Sequence, residues 1–232
     1  MAQQTLERIR GKFLVFDGVD GAGKGSQLQL LGESLTAAKI PWVQAKDPGG
    51  TEIGDRIRHV LLDYDLTKMD VRCEALLFMA SRAQLLHDVI DPALAAGKTV
   101  LCDRFVSATC AYQGAAGYDP LRVIDLARFA IDKTWPHLTL LFDLSAEEGL
   151  DRTGRRPKSK KKNGDVHGQV RLFHDTHPDA MEHRPLDFHH KVRNMFLDLP
   201  AIYPAPITII DGSGSVEAVQ AKVMEALDRA AF

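Results

Sequence analysis

The sequence predicts an α/β domain with a five-stranded parallel sheet, helices on both faces, and a lid. Three observations carry that expectation. Five short, nearly continuous apolar runs are spread along the 232 residues, as strands covered on both faces require. Striped helical patterns lie between them, and such alternation builds a doubly wound sheet with ligands at the carboxyl ends of its strands. A basic, histidine-rich stretch at 151–190 then breaks the pattern.

The runs are "KFLVFDG" (12–18), "IPWVQA" (40–45), "KTVLCD" (98–103), "LTLLFDL" (138–144) and "ITIID" (207–211). After the first, Leu28, Leu31 and Leu35 form one helical stripe; after the second, Ile53, Ile57, Val60 and Leu61 form another. Asp119-Pro120 reads as an N-cap followed by proline at the first helical position. Ser145 and Glu148 match a capping box. Ser215 is placed to cap a last helix with Val216, Val219, Val223 and Leu227 facing inward.

The stretch 151–190 opens with seven Lys/Arg in twelve positions and holds six of the nine histidines. It reads either as a solvated loop or as a lid over phosphates. His167, His174, His177 and His183 fit no zinc spacing, and no cysteine accompanies them.

A net charge of −2 gives no basis for nucleic-acid or membrane-surface binding. No apolar run reaches the length of a membrane span, and "MAQQTLERIRGK" lacks the apolar core of a secretion signal. Cys73, Cys102 and Cys110 have no CxxC spacing and read as reduced thiols, so a cytoplasmic location is expected.

The chemistry starts at "FDGVDGAGKGSQ" (16–27). Gly18, four residues, then Gly23-Lys24 satisfies G-x-x-x-x-G-K between a strand and a helix. Gly18, Gly21, Ala22, Gly23, Lys24, Gly25 and Ser26 would cradle a nucleotide's phosphates with backbone N–H groups and a helix N-terminus. Lys24 adds a cation able to follow a transferred phosphoryl group. Gly25 stands where most such loops carry the Ser or Thr that helps hold Mg²⁺, and Ser26 follows one place later.

Five segments in order resemble the thymidylate kinase family. These are the glycine loop, "KDPGGTEIGDRIR" (46–58), "EALLFMASRAQL" (74–85), "DRFVSATCAYQG" (103–114) and "DAMEHRPLDFHHKVRNMF" (179–196). The resemblance implies one domain over 1–232 with the P-loop NTPase fold. Its lid would span about 149–184, with an insertion at 157–178. It further implies transfer of the ATP γ-phosphoryl to dTMP with Mg²⁺, in dTTP biosynthesis, by a cytoplasmic homodimer packed through a surface such as helix 74–96.

At about 100° per residue, Glu74, Phe78 and Arg82 share a helix face, read here as the face away from a Leu76/Ala83/Ile90 core stripe. By resemblance, Phe78 stacks on thymine and Arg82 meets its carbonyl. Tyr112 lies against the deoxyribose and excludes a 2′-hydroxyl, with Gln113 nearby. Arg104 grips the acceptor phosphate, Asp20 positions the acceptor, and Lys46, Pro48, Ala108 and Cys110 complete its pocket. Asp103 and Ser26 are the candidate metal ligands. Some family members carry an arginine after the loop's acidic residue. Here that position is Gly21, so Arg152 and Arg156 in "GLDRTGRR" become the candidate transition-state cations.

The chain departs from the family pattern in places. Lys46-Asp47 replaces Arg-Glu, which loses a bidentate fork. Ala108 replaces serine, with Ser107 displaced by one, and Cys110 stands at an amide position expected near the base edge. Ala180 replaces a lid arginine, for which Arg171 or Arg184 would compensate. Two alternatives stay open: the same fold acting on dUMP, a 5-modified deoxyuridylate or a deoxynucleoside, and a nucleotide-binding protein without catalysis.

Overall fold

The computed structural model describes residues 2–63, 69–154 and 184–232. Most of the expected lid, the insertion at 157–178, Arg156, Arg171, Ala180 and the histidines at 167–183 therefore lie outside the described residues.

Helix α1 (Ala2–Arg8) leads into β1 (Phe13–Gly18), α2 (Lys24–Ala37), β2 (Trp42–Lys46), α3 (Glu52–Asp63) and α4 (Val71–Leu85). A π-turn at Leu86–Ile90 joins α4 to α5 (Asp91–Ala95), followed by β3 (Thr99–Asp103), α6 (Val106–Ala115) and α7 (Pro120–Ile131). Then come β4 (Leu138–Asp143), α8 (Ala146–Arg152), α9 (Leu186–Asp198), β5 (Ile207–Asp211) and α10 (Val216–Arg229).

All five strands are parallel, in the order β2-β3-β1-β4-β5. Every residue of β1 is buried, which requires helices on both faces of the sheet, as its apolar run predicts. The register sets Phe16 beside Asp103, Gly18 beside Phe142 and Lys46 beside Asp103. The carboxyl ends of β1, β2 and β3 thus meet where the strand order reverses, the place a doubly wound sheet offers a ligand.

The expected caps form. Asp119 accepts from the Leu121 amide at 2.9 Å, Ser145 from Glu148 at 3.2 Å and Ser215 from Ala218 at 3.3 Å. The Glu148 side chain does not complete a capping box; it pairs with Arg152 at 2.7 Å. Leu28, Leu31 and Leu35 are buried in the core.

Three helix-face expectations are corrected. On α3 only Leu61 of the apolar stripe is buried, while Ile53 and Val60 face solvent. Val216, at the first position of α10, is also exposed. On α4 the expected face is partly wrong: Ile90 beyond its end is buried as the stripe requires, but Leu76 is exposed and Glu74 and Arg82 are buried beside Ala75, Met79 and Leu85, because the helix turns Arg82 onto a buried carboxylate. Helix α1, which no apolar run in the sequence marks, is held by Thr5 Oγ1 donating to Asp228 Oδ1 at 2.9 Å and by Leu6 in the core, with Ile9 buried directly after its last residue.

Candidate active site

Strand β1 delivers the chain into the loop 19–23, and α2 begins at Lys24. The Lys24 ammonium lies against the loop, donating to the carbonyls of Gly18 at 3.1 Å and Val19 at 2.8 Å. Burial, reinforced by Arg104, lowers its pKa to about 8 against the opposing pull of Asp20, Asp103 and Asp17. Gly21, Gly23, Lys24, Gly25 and Ser26 line a cavity of about 460 Å³, a usual size for a small-molecule site. Gly18 and Ala22, assigned to the phosphate cradle from the motif, are buried and do not line the cavity.

Arg104 follows β3 in a left-handed conformation, φ 65°, which its amide secures by donating to the Phe16 carbonyl at 3.0 Å. The guanidinium therefore turns toward the loop. It pairs with Asp20, donates to the Gly18 carbonyl at 3.2 Å and packs 5.2 Å from the Tyr112 ring centre. The Tyr112 hydroxyl donates to the other Asp20 oxygen at 3.0 Å. Burial alone would raise the Asp20 carboxyl. Arg104, Lys24 and the Tyr112 hydroxyl outweigh it and hold Asp20 below its ordinary range, so it is ionised. Behind this cluster, Asp17 accepts from Ser107 at 2.6 Å, which explains what the displaced serine does.

The far end of the cavity is formed by Lys46, Pro48, Phe78, Arg82, Ala108, Thr109, Tyr112 and Gln113. Arg82 is fully buried and donates to Asp47 at 2.6 Å, the Thr109 hydroxyl at 2.9 Å and the Phe105 carbonyl at 3.1 Å. Asp47, which replaces the family's glutamate, is thus the counter-ion of the Arg82 floor. Gln113 is buried with neither amide atom hydrogen-bonded; a buried polar group in that state awaits a partner.

Cys110 does not take the place expected for it. It is buried off the cavity, its thiol pushed up to about 12 by burial, and Thr109 lines the wall instead. Arg58 was missed: it lines the cavity while donating to the Pro48 carbonyl at 2.9 Å. Its signal was a cation two turns into the helix after P-G-G-T.

Asp103 lies at the junction of the two ends, with Oδ1 buried and without a hydrogen-bond partner. Among the described residues no group of three metal-ligating side chains occurs. An orphaned carboxylate oxygen and the Ser26 hydroxyl near a phosphate loop suit a cation that takes most of its ligands from phosphates and water, as Mg²⁺ does. Arg152 is not among the cavity-lining residues. It donates to the Gly212 carbonyl at 3.1 Å and to Glu148 at 2.7 Å, although the adjacent Thr153 lines the rim.

A glycine loop between a buried parallel strand and a helix, opening onto a cavity lined by Arg58, Arg82 and Arg104, defines the class: an α/β protein of the P-loop type. The family model described as thymidylate kinase matches residues 16–178, and the chain belongs to that family. The thymidylate kinase of Citrifermentans bemidjiense is 38% identical over 218 residues, covering 94% of this chain and 91% of its own. That of Exiguobacterium sibiricum is 39% identical over 216 residues, 93% of each. The crystal structure of thymidylate kinase from Ehrlichia chaffeensis superposes with a TM-score of 0.69 at 25% identity, covering 94% of this chain and 99% of that one.

Proposed function

We propose that this protein transfers the γ-phosphoryl group of ATP to dTMP, giving dTDP and ADP. The observation that carries the reading is the Arg104–Asp20–Tyr112 cluster between the glycine loop and a chamber floored by Arg82 and Gln113. ATP places its phosphates on residues 18–26, with Lys24 leaving the loop carbonyls to follow the migrating group. Arg104, with Arg58 and Lys46 close by, holds the acceptor phosphate; a guanidinium suits two phosphate oxygens at once. Phe78 stacks on the base, and Arg82, Thr109 and the Gln113 amide meet its polar edge. Tyr112, anchored by Asp20, fills the space a 2′-hydroxyl needs.

Asp103 and Ser26 would hold Mg²⁺, which when bound neutralises phosphate charge. Phosphoryl transfer needs alignment and positive charge more than covalent help. Arg152 supplies that charge, with Arg156, by exchanging its Glu148 contact for phosphate while its other nitrogen keeps the Gly212 carbonyl. The same reading takes the chain as one domain over 1–232 and as a cytoplasmic homodimer. Exposed Ile53 and Val60 on α3 and Leu76 on α4 support the dimer. Among the described residues no helix is long and apolar enough to cross a membrane.

The test is ADP release from ATP in the presence of dTMP, dUMP, dCMP and dGMP. dTMP is expected to be the best acceptor, ahead of dUMP by roughly 10–200-fold, the worth of one methyl group in an apolar pocket. Equal rates with all four, or none with dTMP, would refute the reading.

A further inference from the structure

The helix α8 seats on the glycine loop through bare backbone. A methyl group added at Gly149 would lie 2.3 Å from the Asp20 carbonyl oxygen, and one added at Gly21 would lie 2.2 Å from the Gly149 carbonyl oxygen. Gly21 also has φ +76°, a conformation that disfavours a side chain. The two glycines face each other, so neither position has room for a Cβ.

The helix is itself fixed at both ends. Ser145 caps it at 3.2 Å, and Arg152, at its last residue, donates to the Gly212 carbonyl at 3.1 Å. The Gly212 amide in turn donates to the Asp143 carbonyl at the end of β4 at 2.8 Å. A helix anchored in this way cannot recede freely, so the contact bears on the loop. The residue it bears on is Asp20, whose two carboxylate oxygens hold Arg104 and Tyr112.

We infer that Gly149 is a positioning residue for the acceptor end of the site. Its missing side chain lets α8 brace the Asp20 backbone, and that brace sets the carboxylate that orients Arg104 and Tyr112. The inference rests on the dTMP reading above. It assigns a role in transfer to a residue that touches neither ligand.

The experiment is a double-mutant cycle in the full chain, comparing Gly149→Ala, Asp20→Asn and the double variant for kcat/KM with dTMP. Gly149→Ala is expected to lower kcat/KM by roughly 10–100-fold, the scale on which small misplacements act. In the double variant it is expected to cost less than threefold beyond Asp20→Asn, because the brace acts through that carboxylate. Losses that multiply, or a Gly149→Ala enzyme within threefold of wild type, would overturn the inference.

Should Gly149→Ala fail to fold, the cycle is run with Ser145→Ala, which removes one cap bond and adds no atom. A loss of at least threefold that vanishes in the Asp20→Asn background is then expected, and its absence counts against the brace. Wild type that makes no dTDP refutes the dTMP reading itself, whereas active wild type with additive variants refutes only the brace.

Discussion

Replacing Arg82 by methionine is the most informative single perturbation, because it separates the floor of the chamber from its chemistry. The Arg82 and Asp47 side chains are 1% and 0% exposed and 2.6 Å apart. Methionine keeps the volume near Met79 and Phe105 but leaves Asp47 buried without its hydrogen-bonded ion-pair partner, with only the more distant Arg58 still favouring its charge, and it frees the Thr109 hydroxyl and the Phe105 carbonyl. Breaking a buried pair by removing one member costs about 3–5 kcal/mol. For a domain of this size that corresponds to a Tm lower by roughly 6–20 °C.

Burial already raises the Asp47 carboxyl despite Arg82, and losing the guanidinium raises it further. A raised folded-state pKa favours folding at low pH, and the benefit disappears as pH rises through it. The gap between variant and wild type is therefore expected to be wide at pH 7 and to narrow toward pH 5. Urea denaturation at the two pH values measures it. A variant within about 1 kcal/mol of wild type at pH 7, or a gap independent of pH, would contradict the reading of Arg82 as a paired, buried cation. KM for dTMP should rise by roughly 10–150-fold, the worth of one hydrogen bond to a charged group.

The Lys24 pKa of about 8 makes ATP binding proton-linked. Without ligand, the depressed value adds stability that is complete above the ordinary lysine range and is lost as pH falls through about 8. ATP restores the charge, so titration calorimetry in two buffers should show little proton uptake at Lys24 at pH 7. Uptake should approach one proton per ATP at pH 9, and Lys24→Arg should abolish it. Cys110→Ala should leave KM for dTMP within about twofold of wild type while lowering stability by about 1 kcal/mol, as measured by denaturation; a large change in KM would return Cys110 to the base. Arg152→Ala should lower kcat by roughly 10³-fold with KM for dTMP little changed, and steady-state kinetics decide.

The parts of the site that the sequence displays are those fixed by local chain geometry. Gly21, Gly23, Lys24, Gly25 and Ser26 of the loop, Arg104 directly after β3, and the Tyr112-Gln113 pair all line the cavity. What was misread depends on distant partners. Arg82 looks like an outward residue until Asp47, 35 residues away, is seen to face it. Leu76, Ile53 and Val60 look like core because periodicity reports that a face is apolar, and says nothing of which surface covers it. Cys110 and Thr109 differ by one step of about 100°, enough to turn one side chain into the core and the other into the cavity. The brace at Gly149 was hidden for a different reason: a close backbone approach leaves only the absence of a side chain in the sequence.

The most direct measurement follows the label from ATP carrying ³²P at the γ-position, mixed with dTMP, Mg²⁺ and the enzyme. Label is expected in dTDP, in step with ADP, and in Arg104→Ala it should appear there far more slowly. Label released as inorganic phosphate, or remaining in ATP, would contradict the claim that two phosphorylated ligands meet across the Asp20–Arg104 junction.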